Sequence, residues 1–387
     1  MGKITDIILP KMEHLLLHDF HEGLGARFTE VNGRPAINDY GDWLAEHAAL
    51  RRGAGVLDFS SRSRLCLVGA DRVRFLHGQV TNDVKSLRTG QGCHAAITTA
   101  KGKMEADVNI LCLADELLLD FEPGYAEKIA PRLEKYIVAD DVQLVDAAPH
   151  YGLLSVQGPQ AEAVVRALKL AGEIPSRPLA SVKISDSKLG EIYLANNARL
   201  SPLNAPPVSA TSGYDLFVPN DSLRAVADAL IAAAKQSGGG VCGWQAFETA
   251  RIEAGIPRYG ADMDETSIPL ECGLEAVAVA YAKGCYIGQE VINRIHSVGH
   301  VNRELCGLRL AGDSRLLPQR GDKLFHAGKE VGHITSAARS PTLKAGIALG
   351  YMRREANAIG TELVLKTAGG EAGVQVVALP FARMTND

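Results

Sequence analysis

Helical periodicity runs through the first three hundred residues of this chain and then stops. Before that point lie amphipathic stretches at 125–136, 161–171 and 222–236. After it, short β-favouring runs at 304–310 and 374–379 alternate with glycine-containing turns. A chain of 387 residues also exceeds the roughly 250–300 residues at which single cores stop growing. Together these features predict two regions, 1–300 of mixed character and 301–387 as a small all-β domain.

Helices and strands intermix within the first region. Residues 43–51 have the alanine and leucine content of a helix, and 71–79 read as another with Asp71 at its cap. Residues 64–69 alternate polar and apolar side chains, and 108–113 and 117–120 read as strands across a polar turn. Asp221 is placed to cap 222–236, which Gly238-Gly239-Gly240 ends. Residues 174–210, rich in Pro, Ser and Asn and carrying Ala205-Pro206-Pro207, read as an irregular insertion near 192–194.

A formal net charge of −4 argues against direct nucleic-acid binding through a broad phosphate contact. No apolar run is long enough to span a membrane, and no signal-like segment follows a basic start. Met1-Gly2 carries Asp6 where a myristoylation signal needs Ser or Thr, so a cytoplasmic protein is expected. The cysteines, Cys66, Cys93, Cys112, Cys242, Cys272, Cys285 and Cys306, are odd in number and form no C-x-x-C pair. That is poor spacing for zinc or an iron–sulfur cluster, so most are expected to be buried and no resident metal is expected. His296 and His300 stand at i, i+4, but Gly299 and the lack of a carboxylate partner weigh against a metal site. His77 reads as a framework residue.

The densest chemistry lies in Lys283-Gly284-Cys285-Tyr286-Ile287-Gly288-Gln289-Glu290, where glycines frame a thiol and a lysine precedes it by two residues. Glycines permit close backbone approach, and a nearby lysine favours a thiolate. This run resembles the signature of the YgfZ-type branch of the glycine-cleavage T-protein superfamily. Segments similar to the wider superfamily include Phe75-Leu76-His77-Gly78-Gln79, Val156-Gln157-Gly158-Pro159, Ser212-Gly213-Tyr214-Asp215 and Arg251-Ile252-Glu253-Ala254-Gly255. The resemblance implies an α+β fold: two intertwined α+β folate-binding subdomains followed by a C-terminal β-barrel. It implies tetrahydrofolate or a derivative as cofactor.

By that resemblance Glu253 accepts the pterin N–H row, with Glu271 a second acceptor and Tyr214 an aromatic face. Arg294 and Arg303 are implied partners of the anionic glutamate tail. Cys285 becomes the functional thiol and Lys283 its neighbour. T-proteins carry an acidic residue in the segment that here reads Gly102-Lys103-Met104-Glu105-Ala106-Asp107. Counting from Gly102 puts Ala106 at that position and Asp107 one step later, on the opposite face of a strand. The reading is therefore a folate-binding accessory protein without ordinary turnover, serving iron–sulfur assembly or client proteins, including tRNA-modifying enzymes. Its alternative is an aminomethyltransferase passing a one-carbon unit to tetrahydrofolate, with Asp107 as the acid.

Overall fold

The computed structural model describes residues 14–202, 212–311 and 316–381; Met1-Gly2 and Ala205-Pro206-Pro207 lie outside the described residues. Two sheets stack face to face in the first region. One has six strands in the order Ser181–Asp186, Gly190–Asn196, Gly213–Pro219, Tyr151–Gln157, Gly55–Asp58 and Gly240–Val241. The other has five, in the order Gly92–Thr98, Met104–Cys112, Leu117–Phe121, Ser63–Val68 and Gln143–Asp146. The chain leaves the first sheet after Asp58, builds the second, and returns at Tyr151 to pair antiparallel with Gly55–Asp58. This crossing makes the two α+β subdomains intertwined.

Burial explains why the layers assemble this way. Leu117–Phe121 is buried throughout. Leu117, Leu119 and Phe121 face helices Arg72–Gln79 and Ala126–Glu134, while Leu118 faces the other sheet. The remaining residue of that inner face is Asp120, so the alternation of a strand puts an acid between two sheets. On the far side of the six-stranded sheet, helices Ala161–Ala167 and Asn220–Gln236 cover Val156, Leu216 and Val218.

From Arg303 to Val377 six antiparallel strands close into a barrel. Its interior is filled by residues at period two, among them Leu308 and Leu310, Leu363 and Leu365, Val374 and Val376. Ile252, on helix Trp244–Glu253, packs against Ala338, Ile347 and Leu349 of the barrel wall.

Three local expectations are corrected. Asp71 accepts from the backbone N–H of Asp141 (3.0 Å) and does not cap its helix. Asp221 lies in the first turn, and helix Asn220–Gln236 starts from Pro219. The stretch read as an irregular insertion contains the regular hairpin Ser181–Asp186/Gly190–Asn196. Its polar composition suits the edge of a sheet, where Ile184, Ile192 and Leu194 are buried on one face and Ala195 on the other.

Gly69 has φ of +105°, and a Cβ there would lie 2.2 Å from the Asp141 carbonyl oxygen. Gly172 has φ of +114° with open space around it. Gly69→Ala is expected to lose about 3 kcal/mol in urea unfolding and Gly172→Ala about 1 kcal/mol, since only the first adds a collision to the backbone strain. Equal losses would show that the close approach to Asp141 is not tight.

Candidate functional site

Between the stacked sheets and the barrel runs a continuous chain of alternating buried charges. Asp215 accepts from Arg199 (2.6 Å), and Arg199 also reaches Asp120 (2.7 Å). Arg62 bridges Asp120 (2.7 Å) and Glu122 (2.5 Å), and Arg258 bridges Glu122 and Glu248 (3.2 Å each). Arg251 joins Glu248 to Asp262, and Asp262 accepts from the Thr335 hydroxyl of the barrel (2.5 Å). Burial pushes the Asp120 carboxyl up, but Arg199 and Arg62 outweigh it and hold its pKa at about 2. Glu248 is likewise raised by burial, then brought to about 2 by Arg251 and Arg258.

A polar row crosses the five-stranded sheet toward this chain. His94, Asn109, Asp120 and Arg64 are successive cross-strand partners. His94 Nδ1 lies 2.8 Å from Asn109 Oδ1, and Asn109 Nδ2 lies 3.5 Å from Asp120 Oδ2. Arg64 is fully buried, and its burial lowers its pKa to about 10.

Asp107 stands one step along the same face. Glu105 is an extra residue opposite Ile97 and Thr98, since Ile97 pairs with Ala106 and Thr98 with Met104. Beyond the bulge the strand alternates regularly, so Ala106, Val108 and Ile110 enter the apolar cluster under the helices, with Leu65 and Ile97. Asp107 emerges on the inner face, with His94 Nε2 3.7 Å from its Oδ2. Its Oδ1 is buried and lacks a hydrogen-bond partner among the described residues. Burial raises its pKa, opposed by His94 and reinforced by Glu122.

The other expected site residues are scattered. Glu253 is fully buried with both oxygens engaged: His47 (3.0 Å) and Thr342 (3.2 Å) at Oε2, the Ser340 hydroxyl at Oε1. It braces two helices against the barrel and has no free acceptor for a pterin, a correction whose cause is complete satisfaction by the protein. Tyr214 is 3% exposed in the core beneath the helices, so its ring offers no face to a ligand; its strand neighbour Asp215 points to the centre instead. Arg294 is exposed on helix Gln289–Val298, with no ion pair among the described residues. Glu271 and Arg303 are brought together at 3.2 Å in a surface cleft.

Lys283 turns away from solvent. Its ammonium donates to the carbonyls of His77 (2.6 Å), Val80 (2.6 Å) and Asn82 (2.9 Å), at the end of helix Arg72–Gln79. Its protons are spent on that loop anchor, which corrects the expected role beside the thiol; burial lowers its pKa to about 8. Cys285, two residues on, is exposed, whereas Cys66, Cys242 and Cys272 are buried. His77 is a framework residue, taking the Lys85 N–H at Nδ1 (3.4 Å). His296 pairs with Glu275 (2.7 Å), and among the described residues no cluster of His, Cys, Asp or Glu has the geometry to hold a metal. No helix of the described residues is long and apolar enough to cross a membrane.

Sequence reasoning missed Arg62, Asp120, Arg199 and Asp215. A signal was present: single charged residues inside otherwise apolar strands, as in Leu117-Leu118-Leu119-Asp120-Phe121, mark buried charges that need partners.

Interlocked sheets around a buried polar centre, with a barrel bonded to that centre, define an α+β protein whose parts meet at one charge network. The GCVT N-terminal domain model matches residues 17–283, and the glycine cleavage T-protein C-terminal barrel model matches 303–382. The chain belongs to the glycine cleavage T-protein family. An aminomethyltransferase of Halalkalibacterium halodurans is 28% identical over 371 residues, covering 96% of this chain and 98% of that protein. One of Symbiobacterium thermophilum is 29% identical over 378 residues, covering 95% and 96% respectively. The fold is also that of the glycine cleavage system aminomethyltransferase T from Bartonella henselae, with a TM-score of 0.85 at 23% identity over 96% of this chain and 98% of that one.

The charge chain has a pH signature. Asp120 and Glu248 have folded pKa values of about 2, below their ordinary 3.8 and 4.5, so the folded state binds fewer protons in acid. Their stabilisation is complete above about pH 4.5 and is lost as pH falls toward about 2. Urea midpoints should drop across that window, and less steeply in Glu248→Gln. Arg199→Met, which leaves Asp215 without an ion-pair partner among the described residues and Asp120 with Arg62 alone, should lose about 3–5 kcal/mol at neutral pH.

Proposed function

We propose that this protein is a folate-dependent transferase that moves an aminomethyl or related one-carbon unit, with Asp107 as its acid–base residue. The observation that carries this reading is the inward-facing Asp107, whose buried Oδ1 lacks a partner among the described residues. A carboxylate oxygen of that kind fits a ligand that presents an N–H group or a developing positive charge. The near full-length similarity to proteins named aminomethyltransferase supports the same class.

A bound tetrahydrofolate, or a derivative, supplies the nitrogen atoms that accept the one-carbon unit. The chain's own residues do the rest. Burial raises the Asp107 carboxyl above its ordinary value, which favours its holding a proton. Asn109 holds the His94 ring beside Asp107 Oδ2. Arg62 keeps Glu122 neutralised, so the like charge next to Asp107 is restrained. The absence of an acid at 106 does not count against this reading, because the strand's alternation gives the inner face to 107 and the apolar face to 106.

Transfer between a lipoylated carrier and tetrahydrofolate is the test. Asp107→Asn is expected to lower kcat by about 10²–10⁴-fold while folate affinity changes little. Ala106→Asp buries an unpaired acid under the helices and should destabilise the fold without replacing Asp107. Full activity in Asp107→Asn would remove the proposed role.

A second reading rests on Cys285, the exposed member of the seven cysteines, held on a loop that Lys283 anchors. In it the protein is a cytoplasmic YgfZ-type factor that supports iron–sulfur proteins, tRNA-modifying enzymes among them, through that thiol. Mild alkylation should label Cys285 before the buried cysteines. Cells carrying Cys285→Ala should then lose iron–sulfur enzyme activities while keeping aminomethyl transfer; unchanged iron–sulfur activities would dismiss this reading.

A further inference from the structure

Which nitrogen of the His94 ring carries hydrogen is decided by Asp120, further along the polar row. Asp120 is held ionised by Arg62 and Arg199, so it can only accept hydrogen bonds. Asn109 Nδ2 lies 3.5 Å from Asp120 Oδ2. The amide must therefore give its N–H group to Asp120 and its oxygen to His94. That oxygen also accepts only, so the ring donates to it from Nδ1 (2.8 Å). In a neutral ring this leaves a lone pair on Nε2. Nε2 is the nitrogen that faces Asp107 Oδ2, at 3.7 Å.

Register brings the ring and the acid together. His94 is opposite Asn109 and Ala96 opposite Asp107, so His94 and Asp107 are diagonal neighbours on the inner face. Ala96 shares an apolar cluster with Met104, Tyr259 and Ala278, which walls the pair on one side. Asn82 Nδ2 donates to the His94 carbonyl (2.8 Å) and pins the strand where the ring leaves it. The charged and titratable groups facing the pair are Arg62, Glu122 and Tyr259, with Asp120 behind Asn109. The Tyr259 hydroxyl donates to the Met104 carbonyl (3.3 Å).

We infer that His94 is the proton partner of Asp107: the acid takes a proton from the ligand at Oδ1 while its own passes from Oδ2 to His94 Nε2. The inference rests on the transferase reading above. A positively charged N–H of the ligand loses its proton, and a bond to hydrogen forms at Oδ1. Another breaks at Oδ2 and forms at Nε2. The carboxyl stays neutral throughout, and the positive charge ends on the imidazolium. Asp120, through Asn109, is the charge that steadies it. The gap of 3.7 Å exceeds a hydrogen bond, and contacts of this kind tighten when ligand binds. His94 acts through Asp107 and is a positioning residue.

Two measurements on the full chain test it. Nitrogen NMR of the imidazoles, without ligand, reads the tautomer. His94, assigned by its loss in His94→Gln, should carry hydrogen on Nδ1, and Asn109→Leu should release it to Nε2. Single-turnover transfer from a lipoylated carrier to tetrahydrofolate, run in mixtures of light and heavy water, reads the protons in flight. The unaltered protein should depend on the deuterium fraction along a curve, as paired proton movements do. His94→Gln should be at least about ten-fold slower, with a linear dependence and unchanged folate affinity. If that variant does not fold, Asn109→Leu, which keeps the imidazole, carries the same expectation. Hydrogen on Nε2 in the unaltered protein overturns the inference and leaves the transferase reading intact. So does a linear dependence in the unaltered protein, or an undiminished rate in His94→Gln. If the unaltered protein transfers nothing while His94 carries hydrogen on Nδ1, the transferase reading fails and takes the relay with it.

Discussion

The first region is organised around one connected chain of paired charges. Five carboxylates and four guanidiniums alternate from Asp215 to Asp262. Removing such charges from water is expensive, and the pairing offsets that penalty only when every partner is in place. The partners come from both sheets, from helix Trp244–Glu253 and, through Thr335, from the barrel. Stacking distance, strand order and barrel seat are therefore set by one connected requirement. The chain begins and ends on an acid, and the buried Arg64 stands beside Asp120 as a further cation. Asp107 sits next to the chain with one oxygen that lacks a partner among the described residues.

Two irregularities in the strands aim the groups that matter. Glu105 is the extra residue that puts Met104 on the same face as Asp107. Thr335 is its counterpart in the barrel: Ile334 pairs with Gly350 and Ser336 with Leu349, leaving Thr335 as the additional residue. As a result consecutive hydroxyls meet the charge chain, Thr335 at Asp262 and Ser336 at Arg251 (2.7 Å). A regular strand would turn one of the two away.

The layout of the fold was legible because it rests on periodicity. Helices 43–52, 126–134 and 220–236 stand where their apolar spacing puts them, and the barrel begins where helical spacing ends. The site was much less legible, for a geometric reason. Whether Ala106 or Asp107 faces the centre depends on which face of the strand meets the helices, which composition does not mark. Tyr214 and Asp215 are adjacent in sequence and point into different layers. Glu253 and Lys283 have the chemistry expected of site residues, yet their hydrogen bonds are taken up by distant partners, His47, Ser340 and the end of helix Arg72–Gln79. What a motif names, the fold can reassign to bracing.

The crossing of the chain between its sheets bears on how the protein is made. Gly55–Asp58 pairs with Tyr151–Gln157 on one edge and with Gly240–Val241 on the other. Synthesis at about 5–20 residues per second means roughly 5–20 s before the first of these partners leaves the ribosome, and about twice that for the second. The five-stranded sheet is itself completed only at Asp146, a few residues before Tyr151. Until then the growing chain carries an unpaired apolar strand, and during that interval the strand of Val56 and Leu57 is the part most exposed to mispairing.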